Sequence, residues 1–255
     1  LDIDEYKSML NPKVKFVFVN HVSNTLGTIN PIELIIELAH KNNSQVLIDG
    51  AQGAAHIKIN LNELNVDYYV ASAHKLCGPS GVGFLYGKSE LLNSLPAYQG
   101  GGEMISNVTF EKTEYADLPH KFEAGTPNIA GVIAFGVALD YMNSIGFDNI
   151  ENHEKELLDY ATENLKKIDG IKIYGDNNQK ISVISFNIGD HHPSDIGSIL
   201  DQFGIAVRTG QHCTQPIMDF YKIPGTVRAS FSFYNTKSEI DLFIEALIKA
   251  SKMLG

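Results

Sequence analysis

Cysteine is almost missing from this chain. Cys77 and Cys213 are its two thiols, too few and too far apart for a disulfide framework and in keeping with reduced thiols in a cytosolic setting. Positive charge is also scarce: 20 Lys and Arg against 30 Asp and Glu leave a formal net charge of −10. That balance argues against a generic nucleic-acid or anionic-membrane surface, because phosphates attract cations. No apolar run approaches the roughly 20 residues of a bilayer span, and the N-terminus lacks the basic-then-apolar pattern of a signal peptide. The expectation is a soluble, cytoplasmic protein whose partners are small molecules or proteins, with no nucleic acid and no membrane. No methionine stands at the start, and Leu1–Tyr6 run straight into a helical pattern ending near Leu10. The chain is therefore expected to begin inside a structural unit of something longer.

What is present is ordinary globular composition, 44% hydrophobic over 255 residues, enough for one large domain or two smaller ones. Apolar, β-branched runs at Val14–Val19 and Val46–Ile48 flank a helix that Asn30 would cap and Pro31 would start, with Leu34, Ile35, Leu38 and Ala39 on one face. Tyr68–Ala71 and Val82–Tyr86 read as further strands. Such near-continuous apolar strands indicate a buried, mainly parallel sheet. Gly100, Gly101 and Gly102 open a turn-rich, irregular stretch, after which Thr126 and Pro127 would cap and start an apolar helix to about Met142. Beyond it come an amphipathic helix (Ile150–Ile168), strands at Ile171–Tyr174 and Ile181–Ile188, and a helix started by Pro193. Strands at Ile205–Arg208 and Val227–Phe233 follow, then a closing helix, Lys237–Leu254. The fold class is α/β, with a large domain over residues 1–141 and a small α/β domain over 142–255.

Two strand ends carry chemistry. Val46–Ile48 leads into Asp49, Gly50, Ala51 and Gln52, a carboxylate and an amide at the carboxyl edge of a parallel sheet, where such folds bind ligands. Alone, an Asp there is more often a cap or turn residue. The next strand leads into Ser72, Ala73, His74 and Lys75, then Gly78-Pro79-Ser80-Gly81. A lysine in that setting suits a Schiff base, with hydroxyl and imidazole donors for a phosphate. Asp49 and Lys75 together are the stronger signal, since a pyridoxal ring needs both a lysine on its aldehyde and a carboxylate on its pyridinium nitrogen. Of the thiols, Cys77 reads as a buried small hydrophobe. Cys213 alone would also be inert, but it stands beside Arg208 and His212, which could favour its deprotonation. Adjacent His191 and His192 point to opposite sides of an extended chain and lack further ligands at metal spacing, so no metal is expected.

Seven segments in order resemble the SufS-type, group II cysteine desulfurases of the class V aminotransferase family. They are His21-Val22-Ser23-Asn24, Asp49-Gly50-Ala51-Gln52, Ser72-Ala73-His74-Lys75, Gly101-Gly102-Glu103-Met104, Glu123-Ala124-Gly125-Thr126-Pro127, Arg208-Thr209-Gly210-Gln211-His212-Cys213 and Arg228-Ala229-Ser230. Ala73 departs from a common glycine and Gln211 from a frequent histidine. The resemblance implies a fold-type I pyridoxal-phosphate transferase and covers the C-terminal three-fifths or so of one. It implies that Lys75 holds pyridoxal 5′-phosphate, Asp49 pairs the ring nitrogen and Gln52 bonds the phenolic oxygen. Ser72 and His74 would hold the phosphate, with Thr126 reaching it across a homodimer. Asn24 and Arg228 would bind the substrate carboxylate, Arg208 would support the cysteine loop or the substrate, and Cys213 would accept sulfur from L-cysteine. The short Arg208–Cys213 segment with Gly101-Gly102-Glu103-Met104 implies an enzyme that hands sulfur to a SufE- or SufU-like acceptor for iron-sulfur cluster assembly, with selenocysteine as a possible second substrate. A phosphate-cradling loop and a ring-stacking histidine would precede Leu1, so this chain by itself is expected to bind cofactor poorly. The alternatives are a related cofactor-dependent aminotransferase or lyase in which Cys213 is incidental, and a non-catalytic sulfur-relay fragment.

Overall fold

The computed structural model describes residues 1–177 and 179–255. The chain divides into two compact units, residues 1–21 with 31–144 and residues 22–30 with 145–255. The segment 22–30 joins the C-terminal unit.

The first unit begins with helix α1 (Ile3–Met9), capped by the Asp2 carboxylate, and strand β1 (Phe16–Asn20). Helix α2 (Ile32–Lys41) follows, with Pro31 itself at the N-cap position, so Asn30 is not the cap. Its buried residues are Ile32, Ile35, Ile36 and Ala39, the i, i+3, i+4, i+7 set of a 3.6-residue period; Leu34, expected on that face, is exposed. Next come β2 (Gln45–Asp49), α3 (Gly53–His56), α4 (Leu61–Leu64), β3 (Tyr68–Ser72) and β4 (Gly83–Gly87). The sheet order is β1-β2-β3-β4. The first three strands are parallel, whereas β4 runs antiparallel to β3, as the short connection between them requires: a parallel crossover needs a dozen or more residues, usually with a helix.

After α5 (Ser89–Ser94), the stretch expected to be irregular holds a hairpin of β5 (Ile105–Val108) and β6 (Thr113–Tyr115). Every residue in its strands is exposed, so no buried face imposed a two-residue period on the sequence. Helix α6 (Ile129–Ile145) starts two residues later than Thr126 and Pro127 suggest, because the Asn128 side-chain Oδ1 accepts the Gly131 N–H at 3.0 Å and takes the capping role.

A buried carboxylate ties this sheet together. Asp67 is 5% exposed and accepts from Lys88 Nζ at 2.9 Å, His40 Nε2 at 2.9 Å and the Val46 N–H at 2.8 Å. It thereby links α2, β2 and the residue after β4 to the start of β3. Burial pushes its pKa up, but the bonds from Lys88, His40 and Val46 outweigh that and hold it below the ordinary 3.8. A depressed folded-state pKa means the stabilisation is complete above the unfolded value and lost as pH falls through the lower folded one. Asp67→Ala should cost on the order of 3 kcal/mol, the scale of stranding one partner of a buried ion pair. Urea unfolding at pH 7 should show this loss, and the gap between variant and parent should begin to narrow only as pH falls below 3.8 and close below the lower folded value.

The second unit contains α7 (Phe147–Leu165), β7 (Ile171–Tyr174), β8 (Val183–Ile188), α8 (Pro193–Gln202), β9 (Arg208–Gly210), α9 (Gln215–Tyr221), β10 (Thr226–Ser230) and α10 (Lys237–Leu254). Its antiparallel sheet has the order β7-β8-β10-β9. Ile184, Phe186 and Ile188 of β8 enter a core with Leu157, Leu165, Ile196, Leu200, Phe243 and Leu247 from α7, α8 and α10. Burying each such side chain contributes roughly 1.5–3 kcal/mol. Ser185 of β8, and Ile181 just before it, bond to the segment 22–30. The Ser185 hydroxyl donates to the Thr25 carbonyl at 2.5 Å, and the Ile181 N–H donates to the Gly27 carbonyl at 2.9 Å. Helix α10 starts at a reciprocal capping box of Thr236 and Glu239. His192 caps α8 through Nδ1, which accepts the Ser194 N–H at 3.3 Å.

Candidate active site

The expected site residues fall into two sets, one on each unit. In the first, β2 and β3 run parallel and adjacent, with Asp49 registered against Val70, so Asp49, Gln52, Ser72, His74 and Lys75 all gather at the carboxyl ends of neighbouring strands. The Asp49 carboxylate is exposed and accepts the Ala51 N–H at 2.9 Å, while its backbone carbonyl accepts the His21 N–H at 2.8 Å. Tight packing lies beneath it. A Cβ on Gly50 would sit 1.9 Å from the Tyr69 ring, and one on Gly53 would sit 2.4 Å from His21 Nδ1, so both positions need glycine. His21 Nδ1 lies 3.4 Å from the Tyr69 hydroxyl. Burial lowers the His21 pKa against an opposing pull from Glu33. Burial, with Asp49 nearby, raises that of Tyr69 well above the ordinary phenol value. Both stay neutral near pH 7. His21 and Tyr69 carry no individual signal in the sequence, because their role depends on packing under the Asp49 turn.

Lys75 ends a 3-10 turn, Ala73–Lys75. The Leu76 and Gly78 N–H groups both return to the carbonyl of fully buried Ala73 at 2.8 Å. This anchors the backbone around a half-buried Lys75. Cys77, read from sequence as a buried hydrophobe, is exposed and left-handed at φ 58°. The turn that fixes Lys75 carries Cys77 outward, and partial desolvation pushes its thiol pKa up. Thr126 is exposed, beside Gly125, whose N–H donates to the Gly102 carbonyl at 2.9 Å. That bond joins the Gly101–Met104 and Glu123–Pro127 segments.

In the second set, Cys213 is exposed at the crest of a four-residue turn. The Thr214 N–H donates to the Gln211 carbonyl at 2.9 Å, and the two central residues, His212 and Cys213, have φ 53° and 60°. Positive φ at both central positions is the type I′ signature, ordinarily filled by Asn, Asp or Gly. For two other residues it costs roughly 1–2 kcal/mol each, strain of the kind that gathers at functional sites. Fixed contacts surround the turn. The Thr25 and Thr214 hydroxyls lie 2.9 Å apart, Asn24 Nδ2 donates to the His212 carbonyl at 2.9 Å, and His212 Nε2 lies 2.8 Å from the Thr226 hydroxyl and 3.2 Å from its carbonyl. Thr25, Thr214 and Thr226 carry no signal in the sequence, since they are brought together only by tertiary pairing.

The electrostatics differ from the expectation in one respect. His212 is 3% exposed, and its pKa is lowered to about 4 by burial and by Arg228, with Arg208 adding to the effect. It is therefore neutral near pH 7, so any help it gives to deprotonation of Cys213 does not come from positive charge on its ring. Positive charge nearby resides on Arg208 and Arg228, which face each other directly across β9 and β10. Like charges so placed are destabilising, and burial together with Arg208 lowers the Arg228 pKa. Arg228 Nη1 donates to the Asn24 carbonyl at 2.7 Å; its Nε is buried with no partner among the described residues. A carboxylate bound there would relieve both the repulsion and the unmet donor. Asn24, expected to bind the carboxylate itself, spends one amide N–H on the cysteine turn.

The family model for class-V aminotransferases matches residues 1–243. The chain belongs to the class-V aminotransferase family. The chain is 45% identical to the cysteine desulfurase of Cronobacter sakazakii, over 100% of its own length and 63% of that relative's. It is also 45% identical to the cysteine desulfurase of Dickeya dadantii, over 100% and 62%. The crystal structure of the cysteine desulfurase CsdA from Escherichia coli superposes with a TM-score of 0.95 at 36% identity, covering 99% of this chain and 63% of that one. The apo cysteine desulfurase of Thermococcus onnurineus gives the same TM-score and coverage at 35% identity. The fold-type I architecture expected from sequence is thus met, by a chain that spans less than two thirds of the length of these relatives.

Proposed function

We propose that this chain is the part of a pyridoxal-phosphate-dependent L-cysteine desulfurase that carries the cofactor lysine and the sulfur-accepting cysteine. The observation that carries the reading is the exposed Cys213 thiol, held on a strained turn beside the Arg208–Arg228 pair, in a class-V aminotransferase chain. The donor set at the ends of β2 and β3 fits pyridoxal phosphate: an anionic carboxylate for the ring nitrogen and an anchored amine for the aldehyde. Gln52 would bond the phenolic oxygen, Ser72 and His74 would hold the phosphate, and Thr126 of the partner subunit in a homodimer would complete its binding. When bound, this cofactor supplies an electron sink for charge developing at the substrate Cα.

The chain's own groups do the rest. Arg228 anchors the L-cysteine carboxylate, and Asn24 keeps the cysteine turn against it. Lys75 Nζ removes the Cα proton and later returns one, while Asp49 keeps the proton on the ring nitrogen. The Cys213 thiolate attacks the substrate sulfur. The S–S bond forms as the Cβ–S bond breaks, the bond's electrons stay with the substrate carbons, and protonation at Cβ and Cα yields L-alanine. The balance is L-cysteine plus thiol to L-alanine plus persulfide, with no outside oxidant. The exposed persulfide passes to a SufE- or SufU-like acceptor thiol for iron-sulfur cluster assembly, in the manner of the group II enzymes, and selenocysteine fits the same chemistry.

Borohydride reduction of the cofactor-loaded protein should fix the cofactor to the peptide bearing Lys75, and L-cysteine should yield alanine and bound sulfur in equal amounts. Pyruvate in place of alanine would replace this reading with a lyase.

A further inference from the structure

We infer that His212 is the positioning residue of the Cys213 thiol: its buried imidazole, anchored on Thr226, holds the two-residue left-handed turn that presents the sulfur. The inference rests on the reading of Cys213 as sulfur acceptor, but the turn itself can be tested apart from it.

Neither histidine nor cysteine favours φ near 53° and 60°, so something outside the turn must hold it. Three contacts do so. Asn24 reaches the His212 carbonyl and Thr25 reaches Thr214, yet both belong to the segment 22–30, remote in sequence. The third, from His212 to Thr226 of β10, is the one made by the side chain of a left-handed residue itself. A carbonyl only accepts, so the Thr226 carbonyl assigns the proton to Nε2. Nδ1 is then a bare acceptor, buried and without a partner among the described residues. With the ring sealed at 3% exposure and no contact to a reacting atom, its action on the chemistry runs through Cys213.

His212→Phe keeps the volume and removes the anchor. Exchange of the Thr214 amide proton, which closes the turn, should then quicken by about tenfold or more, because the local opening it reports becomes cheaper. Single-turnover persulfide formation should slow by roughly 10- to 100-fold, the scale of a misplaced reacting group. Iodoacetamide labelling of Cys213, referenced to Cys77 in the same sample, should stay within about twofold, since a small diffusible reagent needs a thiolate but no single geometry for it. His212→Asn, which tolerates the left-handed region, should recover most of both losses. If His212→Phe does not fold, Thr226→Val removes the hydroxyl partner with little change of shape and should show the same pattern more weakly. Unchanged Thr214 exchange in the variant overturns the inference, whether sulfur transfer slows or not. So does labelling that falls in step with transfer, because His212 would then act on the thiol's reactivity. If the parent forms no persulfide, the desulfurase reading fails and the exchange measurement alone decides whether His212 holds the turn.

Discussion

Cys213→Ala is expected to abolish persulfide formation and to slow sulfur transfer to an acceptor thiol by at least about 10³-fold, because a positioned group reacts at effective molarities of roughly 10⁵ M or more and a millimolar external thiol cannot replace it. The loss should be confined to the sulfur step. Cys213 lies on the second unit, at a turn whose closing bonds are backbone and threonine contacts, so its side chain can be removed with the turn still closed. Exchange of the Cα proton of bound L-cysteine with solvent should therefore persist in the variant. Cys77, though exposed, should not substitute: desolvation raises its thiol pKa, which reduces the thiolate available for attack. A variant that still delivers sulfur at the parental rate would mean that Cys213 is incidental and that the protein is a lyase or aminotransferase of the same family.

Lys75→Ala should remove both halves of the reaction. Loss of a general base alone costs about 10²–10⁴-fold, and here the same amine also carries the cofactor, so the fall in alanine formation should exceed that range. Cα proton exchange, preserved without Cys213, should vanish without Lys75. The two variants thus separate the carbon step from the sulfur step. Stability should change little in Lys75→Ala, since the turn around it is closed by main-chain bonds to Ala73.

Much of this site is legible in the sequence. Asp49 and Lys75 declare themselves because each follows a short apolar strand, and two neighbouring parallel strands necessarily deliver their next residues to one edge. Helix α10 and strand β7 match their expected bounds, and in α10 the buried Ile240, Phe243, Ala246, Leu247 and Ala250 share one face. Errors arise where distant residues decide. The fully exposed β5–β6 hairpin has no buried face to print a pattern on the sequence. Residues 22–30 lie between two elements of the first unit yet belong to the second, through hydrogen bonds to residues about 150 positions away. The charge state of His212 is legible in neither its neighbours nor its motif, because it is set by burial against Thr226 and by two arginines on adjacent strands. Local sequence names the reactive groups, and tertiary packing decides their protonation and aim.

The central claim is that the amine of Lys75 and the thiol of Cys213 work on one and the same amino acid. Peptide mapping by mass spectrometry after incubation of cofactor-loaded protein with ³⁴S-labelled L-cysteine tests it most directly, with the parent and Lys75→Ala run side by side. The account predicts a single labelled sulfur on the peptide carrying Cys213 in the parent, matched by one alanine, and none in Lys75→Ala. Label on Cys77, or on Cys213 in the absence of Lys75, would contradict it.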